Sequence, residues 1–180
     1  MPPPPPPPPL AVAPIASSSA VGEACREHGL TPAEFAELCG RAQEAKARAY
    51  CPYSGFRVGA ALLTRAGAYV AGANVENASY PVTTCAERVA LASAVVAGAA
   101  GPGDVKAVAV ATDAATPTSP CGMCRQFMRE FCELNVPILM FDKDSNFIVL
   151  KLEELLPLSF GPDSMGVAVP KRPFSTPPTA

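Results

Sequence analysis

Three cysteines and one glutamate place the strongest constraint on how this chain can fold. They lie in two short segments, Cys85-Ala86-Glu87 and Pro120-Cys121-Gly122-Met123-Cys124. Three thiolates can hold a zinc ion and leave its fourth tetrahedral position open, which distinguishes a catalytic zinc site from a closed structural one. Because the first segment lies far from the second in sequence, a fold that forms this site must bring two distant helix starts to one point.

Glu87 lies two residues after the first cysteine, where a carboxylate can move protons for a water molecule activated by the metal. A second interpretation exists, since Thr84-Cys85-Ala86-Glu87 also fits a capping box at a helix start. A Cys-x-x-Cys pair alone is equally typical of a redox pair or of half a zinc finger. The chain has no second such pair, so a closed site would need its fourth protein ligand from a small set: Cys25, Cys39, Cys51, Cys132 or His28.

Cys85 and Cys121 fall at predicted helix starts, and Cys124 lies one turn further along the second helix. Helix N-termini carry partial positive charge and spare N–H donors, which favour thiolate over thiol. Three thiolates and one Zn²⁺ leave a charge of about −1. Arg88 follows the first ligand by one helical turn, and Arg125 follows the last one directly. Both can donate hydrogen bonds to sulfur and offset this charge, although both also fit ordinary surface arginines.

The charge balance argues against a nucleic-acid-binding protein. The chain has 180 residues, 49% of them hydrophobic, and a formal net charge of −2, whereas binding driven by phosphate contacts usually needs a basic face. No apolar run is long enough to cross a bilayer, and the N-terminus lacks the basic-then-apolar pattern of a secretory signal. We therefore expect neither a nucleic-acid nor a membrane partner, and a cytoplasmic location, with the nucleus as an alternative.

The seven cysteines form an odd and irregularly spaced set. In an intracellular chain this favours a metal site plus free thiols over a disulfide framework. Cys39 and Cys132 lie on helical patterns and are predicted to be small core residues.

Composition divides the chain into three predicted regions. Residues 1–21 begin with eight consecutive prolines, Pro2–Pro9, and are predicted to form a disordered Pro-rich arm. Such a tract can dock SH3-like or WW-like modules, but it lacks flanking basic residues, which favours a passive tail. Residues 28–165 are predicted to form one catalytic domain, and the Pro- and Thr-rich residues 171–180 are predicted to form a disordered tail.

Helix signals mark the start of the folded part. Thr31-Pro32-Ala33-Glu34 offers a Thr N-cap, a Pro at the first position and a Glu that can reach back to the cap, and apolar residues then recur at helical spacing from Phe35 to Ala49. Later patterns predict strands at 58–64 and 69–74, a helix at 85–97, a strand at 105–112, a helix at 121–132, strands at 137–141 and 147–150, and a short helix at 152–156. Strands that alternate with helices predict an α/β sandwich with a mixed sheet.

The zinc segments and their surroundings resemble the cytidine deaminase family, in its small homotetrameric form with three cysteine ligands. The resemblance runs from about Glu44 to Gly161, and it implies a three-layer α/β/α sandwich with a mixed five-stranded sheet. The segments that carry it are Tyr50-Cys51-Pro52-Tyr53-Ser54-Gly55-Phe56-Arg57-Val58-Gly59-Ala60, Asn74-Val75-Glu76-Asn77-Ala78-Ser79-Tyr80-Pro81, Thr84-Cys85-Ala86-Glu87-Arg88, Ser119-Pro120-Cys121-Gly122-Met123-Cys124-Arg125-Gln126 and Leu155-Leu156-Pro157-Leu158-Ser159-Phe160-Gly161-Pro162.

The resemblance implies a role for each matching position. One Zn²⁺ per subunit would be bound by the three cysteines, and Glu87 would be the catalytic residue. Seven positions would contact substrate: Asn74 and Glu76 the ribose hydroxyls, Phe56 and Phe160 the pyrimidine ring, the Ala86 backbone and the Ser119 carbonyl the base, and Tyr80 the site of a neighbouring subunit. Taken singly, these residues also fit turn, surface and core positions.

The implied reaction is hydrolytic deamination of cytidine or deoxycytidine to uridine or deoxyuridine in pyrimidine salvage. Glu87 would take a proton from the attacking water, pass it to ring N3 and then protonate the leaving amino group. Glu76 favours a nucleoside, because a carboxylate there would repel a phosphate. Two alternatives stay open: a deaminase for a related compound such as blasticidin S, and a non-catalytic zinc-binding protein that interacts through its proline arm. A polynucleotide-editing deaminase is disfavoured because the chain lacks a basic face.

Overall fold

The computed structural model describes residues 11–166, so residues 1–10 of the predicted arm and the whole predicted tail lie outside it. The elements are, in order, α1 (Ser18–His28), α2 (Pro32–Lys46), β1 (Val58–Thr64), β2 (Tyr69–Ala73), a 3-10 turn (Tyr80–Val82), α3 (Ala86–Val96), β3 (Val105–Thr112), α4 (Gly122–Phe131), β4 (Pro137–Phe141), β5 (Phe147–Lys151), α5 (Leu152–Leu155) and a second 3-10 turn (Pro162–Met165). The helices and strands predicted after residue 30 are present, with bounds that differ by a few residues.

The five strands form one mixed sheet in the order β2-β1-β3-β4-β5. Only β3 and β4 run parallel, with Val108 opposite Ile138, and the other three pairs are antiparallel. The parallel pair needs a crossover connection, and α4 provides it. This crossover matters for function because α4 begins where the loop after β3 ends.

Helices cover both faces of the sheet, which confirms the predicted three-layer α/β/α sandwich. Side chains of β1 alternate between the layers: Ala60 and Leu62 join the core formed with α3, α4 and α5, whereas Ala61 and Leu63 join the core formed with α1 and α2. The central strands are nearly continuous apolar runs because both of their faces are buried. Cys39 and Cys132 are buried, as predicted.

The predicted helix start at Thr31 is confirmed as a full capping box. The Thr31 Oγ1 accepts from the Glu34 backbone N–H at 3.1 Å, and Glu34 Oε2 accepts from the Thr31 backbone N–H at 2.8 Å. Glu34 also pairs with Lys106 on β3, with 2.6 Å between Oε1 and Nζ. Glu34 thus caps the start of α2 and also fastens this helix to the sheet.

The structure differs from the prediction before Thr31, because an additional helix, α1, begins within the segment assigned to the arm. Ser17 is its N-cap and accepts from the Ala20 backbone N–H at 3.3 Å. Its Cys25 packs into the core that α2 also covers. The segment before it reaches the sheet, since Ala13 and Phe147 exchange two backbone hydrogen bonds of 2.9 and 2.8 Å. The Ala/Ser-rich composition concealed this helix because its apolar stripe is short.

Gly59 lets α2 lie directly on β1. A Cβ atom added at Gly59 would lie 2.0 Å from the Ala42 carbonyl oxygen and 2.3 Å from the Lys46 backbone nitrogen. These neighbours are backbone atoms of a helix, so a side chain can fit only if the whole layer shifts.

We expect Gly59→Ala to lower the free energy of unfolding by at least about 2 kcal/mol, because it forces an overpacked contact between α2 and β1. Urea denaturation of the two proteins measures this difference. Gly40→Ala is the matched control, since Gly40 lies in α2 with no atom within 4 Å of an added Cβ, and alanine there should hold or raise stability. Equal stability of Gly59→Ala and wild type would contradict the assigned close approach.

Candidate metal and active site

Two helix N-termini bring the three predicted cysteine ligands together. Cys85 is the N-cap of α3, Cys121 is the N-cap of α4, and Cys124 lies within the first turn of α4. Both helices cover the same face of the sheet, and the loop after β3 carries the chain to Cys121. As a result, the Sγ atoms of Cys85 and Cys121 are 3.8 Å apart, and all three sulfurs lie within 4.8 Å of one another.

This sulfur arrangement fits a zinc ion. Zinc–thiolate bonds of about 2.3 Å at tetrahedral angles place two sulfurs about 3.8 Å apart, which is the separation of Cys85 and Cys121. Cys124 is fully buried and Cys121 is exposed, so the cluster has a protected side and an open side. Within residues 11–166 it is the one group of three or more potential metal ligands that lie this close.

The electrostatics of the cluster favour thiolate at its N-terminal member. A hydrogen bond from Cys124, with further help from Arg88 and Cys121, lowers the pKa of Cys85 to about 5. The same pairing with Cys85, together with burial, raises the pKa of Cys124. Cys85 is therefore the preferred thiolate of this pair and Cys124 its proton donor, and binding of a metal ion would displace that proton.

Arg88 lies beside one of the three predicted cysteine ligands. Its Nη2 is 3.7 Å from Cys85 Sγ and 3.1 Å from the Thr83 carbonyl oxygen. The guanidinium thus sits beside a ligand sulfur, which supports the predicted role in offsetting thiolate charge.

Arg125 does not take the predicted place beside the sulfurs. Its guanidinium donates to the Pro120 carbonyl at 2.7 Å, the Ser119 Oγ at 2.6 Å and the Leu155 carbonyl at 2.7 Å. It therefore fixes the loop that precedes Cys121 against the end of α5. Sequence adjacency to a ligand misled the prediction, because the next residue on a helix points about 100° away.

Glu87 is buried beside the cysteines with an unused carboxylate oxygen. Its side chain is 3% exposed, and its Oε2 has no hydrogen-bond partner within the described residues. The alternative capping box does not form, because the N-cap is Cys85 and it makes no side-chain capping bond. Burial, reinforced by the negative Cys85 sulfur, raises the pKa of Glu87. A carboxyl group with a raised pKa is suited to both accept and return a proton near neutral pH.

Asn74 and Glu76 already have partners within the chain. The Asn74 Oδ1 accepts from the Val58 backbone N–H at 2.8 Å, and its Nδ2 donates to the Phe56 carbonyl at 2.9 Å. Glu76 accepts from the Tyr53 and Ser54 backbone N–H groups at 2.8 and 3.2 Å, and from the Ser54 hydroxyl. They organise the segment before β1, a role that sequence spacing did not indicate.

The hydrogen bond from Ser54 and those from the backbone also lower the pKa of Glu76, so this carboxylate stays ionised at neutral pH. Contact of Asn74 and Glu76 with ribose remains a prediction.

The aromatic side chains that are predicted to contact substrate are exposed in a single chain. Phe56, Tyr80 and Phe160 keep 40%, 70% and 61% of their surface accessible. Tyr80 packs against Tyr53, with ring centroids 5.9 Å apart, and the Phe160 carbonyl accepts from Gln126 Nε2 at 3.0 Å. Ala86 is fully buried as the first residue of α3, where its backbone N–H is free of the helix's own hydrogen bonds.

Comparison with known proteins decides the family. Residues 33–140 match the family model described as the cytidine and deoxycytidylate deaminase zinc-binding region. The chain belongs to the cytidine deaminase family. It is therefore an enzyme of the zinc-dependent hydrolytic deaminase class, and the predicted resemblance is confirmed.

Relatives of this cytidine deaminase-family chain agree over the same region. It is 43% identical over 128 residues to the cytidine deaminase of Halalkalibacterium halodurans, covering 71% of this chain and 95% of that one. It also resembles a crystal structure of cytidine deaminase from Burkholderia pseudomallei, with 42% identity, a TM-score of 0.67, and coverage of 69% of this chain and 98% of that chain. For a crystal structure of the Mycobacterium tuberculosis cytidine deaminase the identity is 36% and the TM-score 0.61, over 71% of this chain and 98% of that chain.

The helices of the described part are not membrane spans. None between residues 11 and 166 is long and apolar enough to cross a bilayer.

Proposed function

We propose that this chain hydrolyses cytidine and deoxycytidine to uridine and deoxyuridine, with release of ammonia. One observation carries the proposal: a buried glutamate with an unused oxygen, Glu87, lies two residues after a cysteine whose sulfur clusters with two others at zinc-binding distances. A closed structural site would not need this glutamate. The names of the relatives support cytidine as the substrate.

In the proposed mechanism, the three cysteines hold one zinc ion per subunit and Glu87 handles the protons. When bound, zinc acts as a Lewis acid that activates water. Glu87 accepts one proton from the attacking water and delivers it to N3 of the ring as C4 is attacked. It then takes the second proton from the new hydroxyl group on C4 and gives it to the amino group, so that the C4–N bond breaks, ammonia leaves and a carbonyl remains at C4. The burial of Glu87 excludes bulk water from these transfers and raises its pKa above that of an exposed carboxyl group, which makes it a better proton acceptor.

The walls of the site favour a nucleoside. Glu76 stays ionised, and its hydrogen bonds from the Tyr53 and Ser54 backbone N–H groups hold its charge beside these two residues. A fixed carboxylate repels a phosphate group and accepts hydrogen bonds from sugar hydroxyls. We therefore propose that Asn74 and Glu76 bind the ribose hydroxyls. Phe56 and Phe160 are proposed to flank the pyrimidine ring, and the Ala86 and Ser119 backbones to bind the base.

We further propose a homotetramer with shared active sites. Several large apolar side chains are exposed in one chain, including Tyr80, Val82, Leu158 and Phe160. Apolar surface of this kind is typical of an interface, and Tyr80 is proposed to reach the site of a neighbouring subunit. Size-exclusion chromatography with light scattering should give four times the chain mass, and a monomer would reject this proposal. The proposed substrates give the chain a role in pyrimidine salvage, for which we propose a cytoplasmic location.

The direct test is ammonia release by the zinc-loaded protein from a panel of cytosine compounds. We expect turnover of cytidine and deoxycytidine, with blasticidin S and CMP at background. Turnover of blasticidin S alone would replace the proposed substrate with that antibiotic. Zinc binding without turnover of any compound would leave a non-catalytic zinc protein.

A further inference from the structure

An ion cluster at the end of β3 joins three elements near the proposed substrate site. Arg57 makes two bonds to Asp113, 2.8 Å from Nε to Oδ2 and 3.2 Å from Nη2 to Oδ1. Lys46, at the end of α2, lies 3.2 Å from the same Asp113 Oδ1 and donates to the Thr112 carbonyl at 3.1 Å. The carboxylate is therefore shared by two cations from two different segments.

The cluster joins two segments that each lead, along the chain, to residues of the proposed site. Asp113 is the first residue after β3 and begins the loop that ends at Ser119 and Cys121. Arg57 is the residue between Phe56 and the first residue of β1. The Arg57–Asp113 pair thus sets the distance between the segment that carries Phe56 and the loop that leads to the metal ligands.

Phe56 is only partly covered by its neighbours, so its place depends strongly on how its backbone is held. The ring is 40% exposed, and Asn74 holds the backbone on one side through the Phe56 carbonyl and the Val58 N–H. Arg57 holds the other side through Asp113. Lys46 is 8% exposed and fixes Asp113 in turn. Asp113 is therefore held in place on the side away from Arg57.

We propose that Asp113 is a positioning residue for substrate binding, which acts through Arg57 to set the place of Phe56 against the pyrimidine ring. This inference rests on the proposed function, because it assumes that Phe56 contacts the substrate. Asp113 itself touches neither substrate nor metal in this scheme. Its bidentate pair with Arg57 gives it the geometric precision that a single contact lacks.

The proposal predicts an effect on binding that exceeds the effect on stability. The Arg57 side chain is 50% exposed, and ion pairs of that exposure contribute little to folding. A small displacement of a group that orients substrate, by contrast, changes the kinetics strongly.

The experiment compares Arg57→Ala with Arg65→Ala in steady-state assays with cytidine. We expect Arg57→Ala to raise KM roughly tenfold, with kcat within about threefold of wild type and an unchanged Tm. Arg65→Ala is the matched control, since Arg65 lies at the opposite end of β1, is 51% exposed and pairs with Glu133 at 2.9 Å. Its KM should equal that of wild type. Arg57→Lys keeps the charge but loses the paired geometry, so its KM should fall between those of Arg57→Ala and wild type.

Asp113→Asn provides a second and independent variant that keeps the side-chain shape. We expect it to raise KM as Arg57→Ala does, and the double variant to be no worse than either single one, because both break the same contact. The proposal would be overturned if both single variants kept the KM of wild type, or if Arg65→Ala raised KM as much as they do. It would also be overturned if the effects of the two single variants on KM were fully additive in the double variant. Failure of the proposed function has a different result, which is no turnover of cytidine by the zinc-loaded wild type.

Discussion

Glu87→Gln is expected to lower kcat for cytidine by at least ~10²–10⁴, the usual contribution of acid–base catalysis, while zinc stays bound. Glutamine has the shape of glutamate but cannot accept and return a proton. The measurement is ammonia release under saturating substrate, beside the zinc content of the same preparation. Glu153→Gln is the matched control, because Glu153 is exposed on α5, and its kcat should be that of wild type.

The same substitution should not weaken the fold. Glu87 is 3% exposed and one of its oxygens has no partner within the described residues, and an ionisable group in that position costs free energy when charged. The Tm of Glu87→Gln should therefore equal or exceed that of wild type. Loss of activity together with a lower Tm would point to a damaged site, and full activity would remove Glu87 from the mechanism.

Cys124→Ala is expected to lower bound zinc from about one ion per chain to nearly none and to reduce deamination to background. Cys124 is the buried member of the sulfur cluster, and two remaining thiolates do not make a stable zinc site. Metal analysis and the ammonia assay on the same sample measure both effects. Treatment of wild type with a chelator should give the same loss, and added zinc should restore activity only in wild type.

Cys132→Ala separates loss of a ligand from loss of a buried cysteine. Cys132 is 3% exposed and lies at the other end of α4 from the cluster. The change removes a core contact, so it should cost about 1 kcal/mol of stability and leave zinc and kcat unchanged. Retention of zinc by Cys124→Ala, or its loss from Cys132→Ala, would contradict the assigned ligand set.

The central strands could be predicted closely from the sequence. The predicted bounds 58–64, 105–112 and 137–141 are those of β1, β3 and β4, because strands buried on both faces are continuous apolar runs between turn residues. Helix α2 ends at Lys46, whereas its apolar pattern continues to Ala49, since alanines recur beyond the last helical hydrogen bond. The pattern gave no sign of α1, whose stability comes from packing rather than from its own composition.

The site shows the same division between local and tertiary information. Motif spacing identified the three cysteines and Glu87, because helix starts and ligand types are local properties. The contacts of Arg125, Asn74 and Glu76 depend on which loops lie beside them in the fold. The spacing of residues in the sequence does not indicate which loops these are. For the same reason the Lys46–Asp113–Arg57 cluster had no signal in the sequence, although each of its members borders a predicted element.

The pairing of Ala13 with Phe147 has a consequence for how the protein is made. The two residues are joined by a pair of backbone hydrogen bonds, yet about three quarters of the 180-residue chain separates them. During synthesis the N-terminal segment leaves the ribosome first, but its strand partner emerges only near the end. Contacts between such distant residues form late, because closing a long loop is entropically costly. The segment around Ala13 is thus made well before Phe147, but it can take its place on the sheet only after Phe147 has been made.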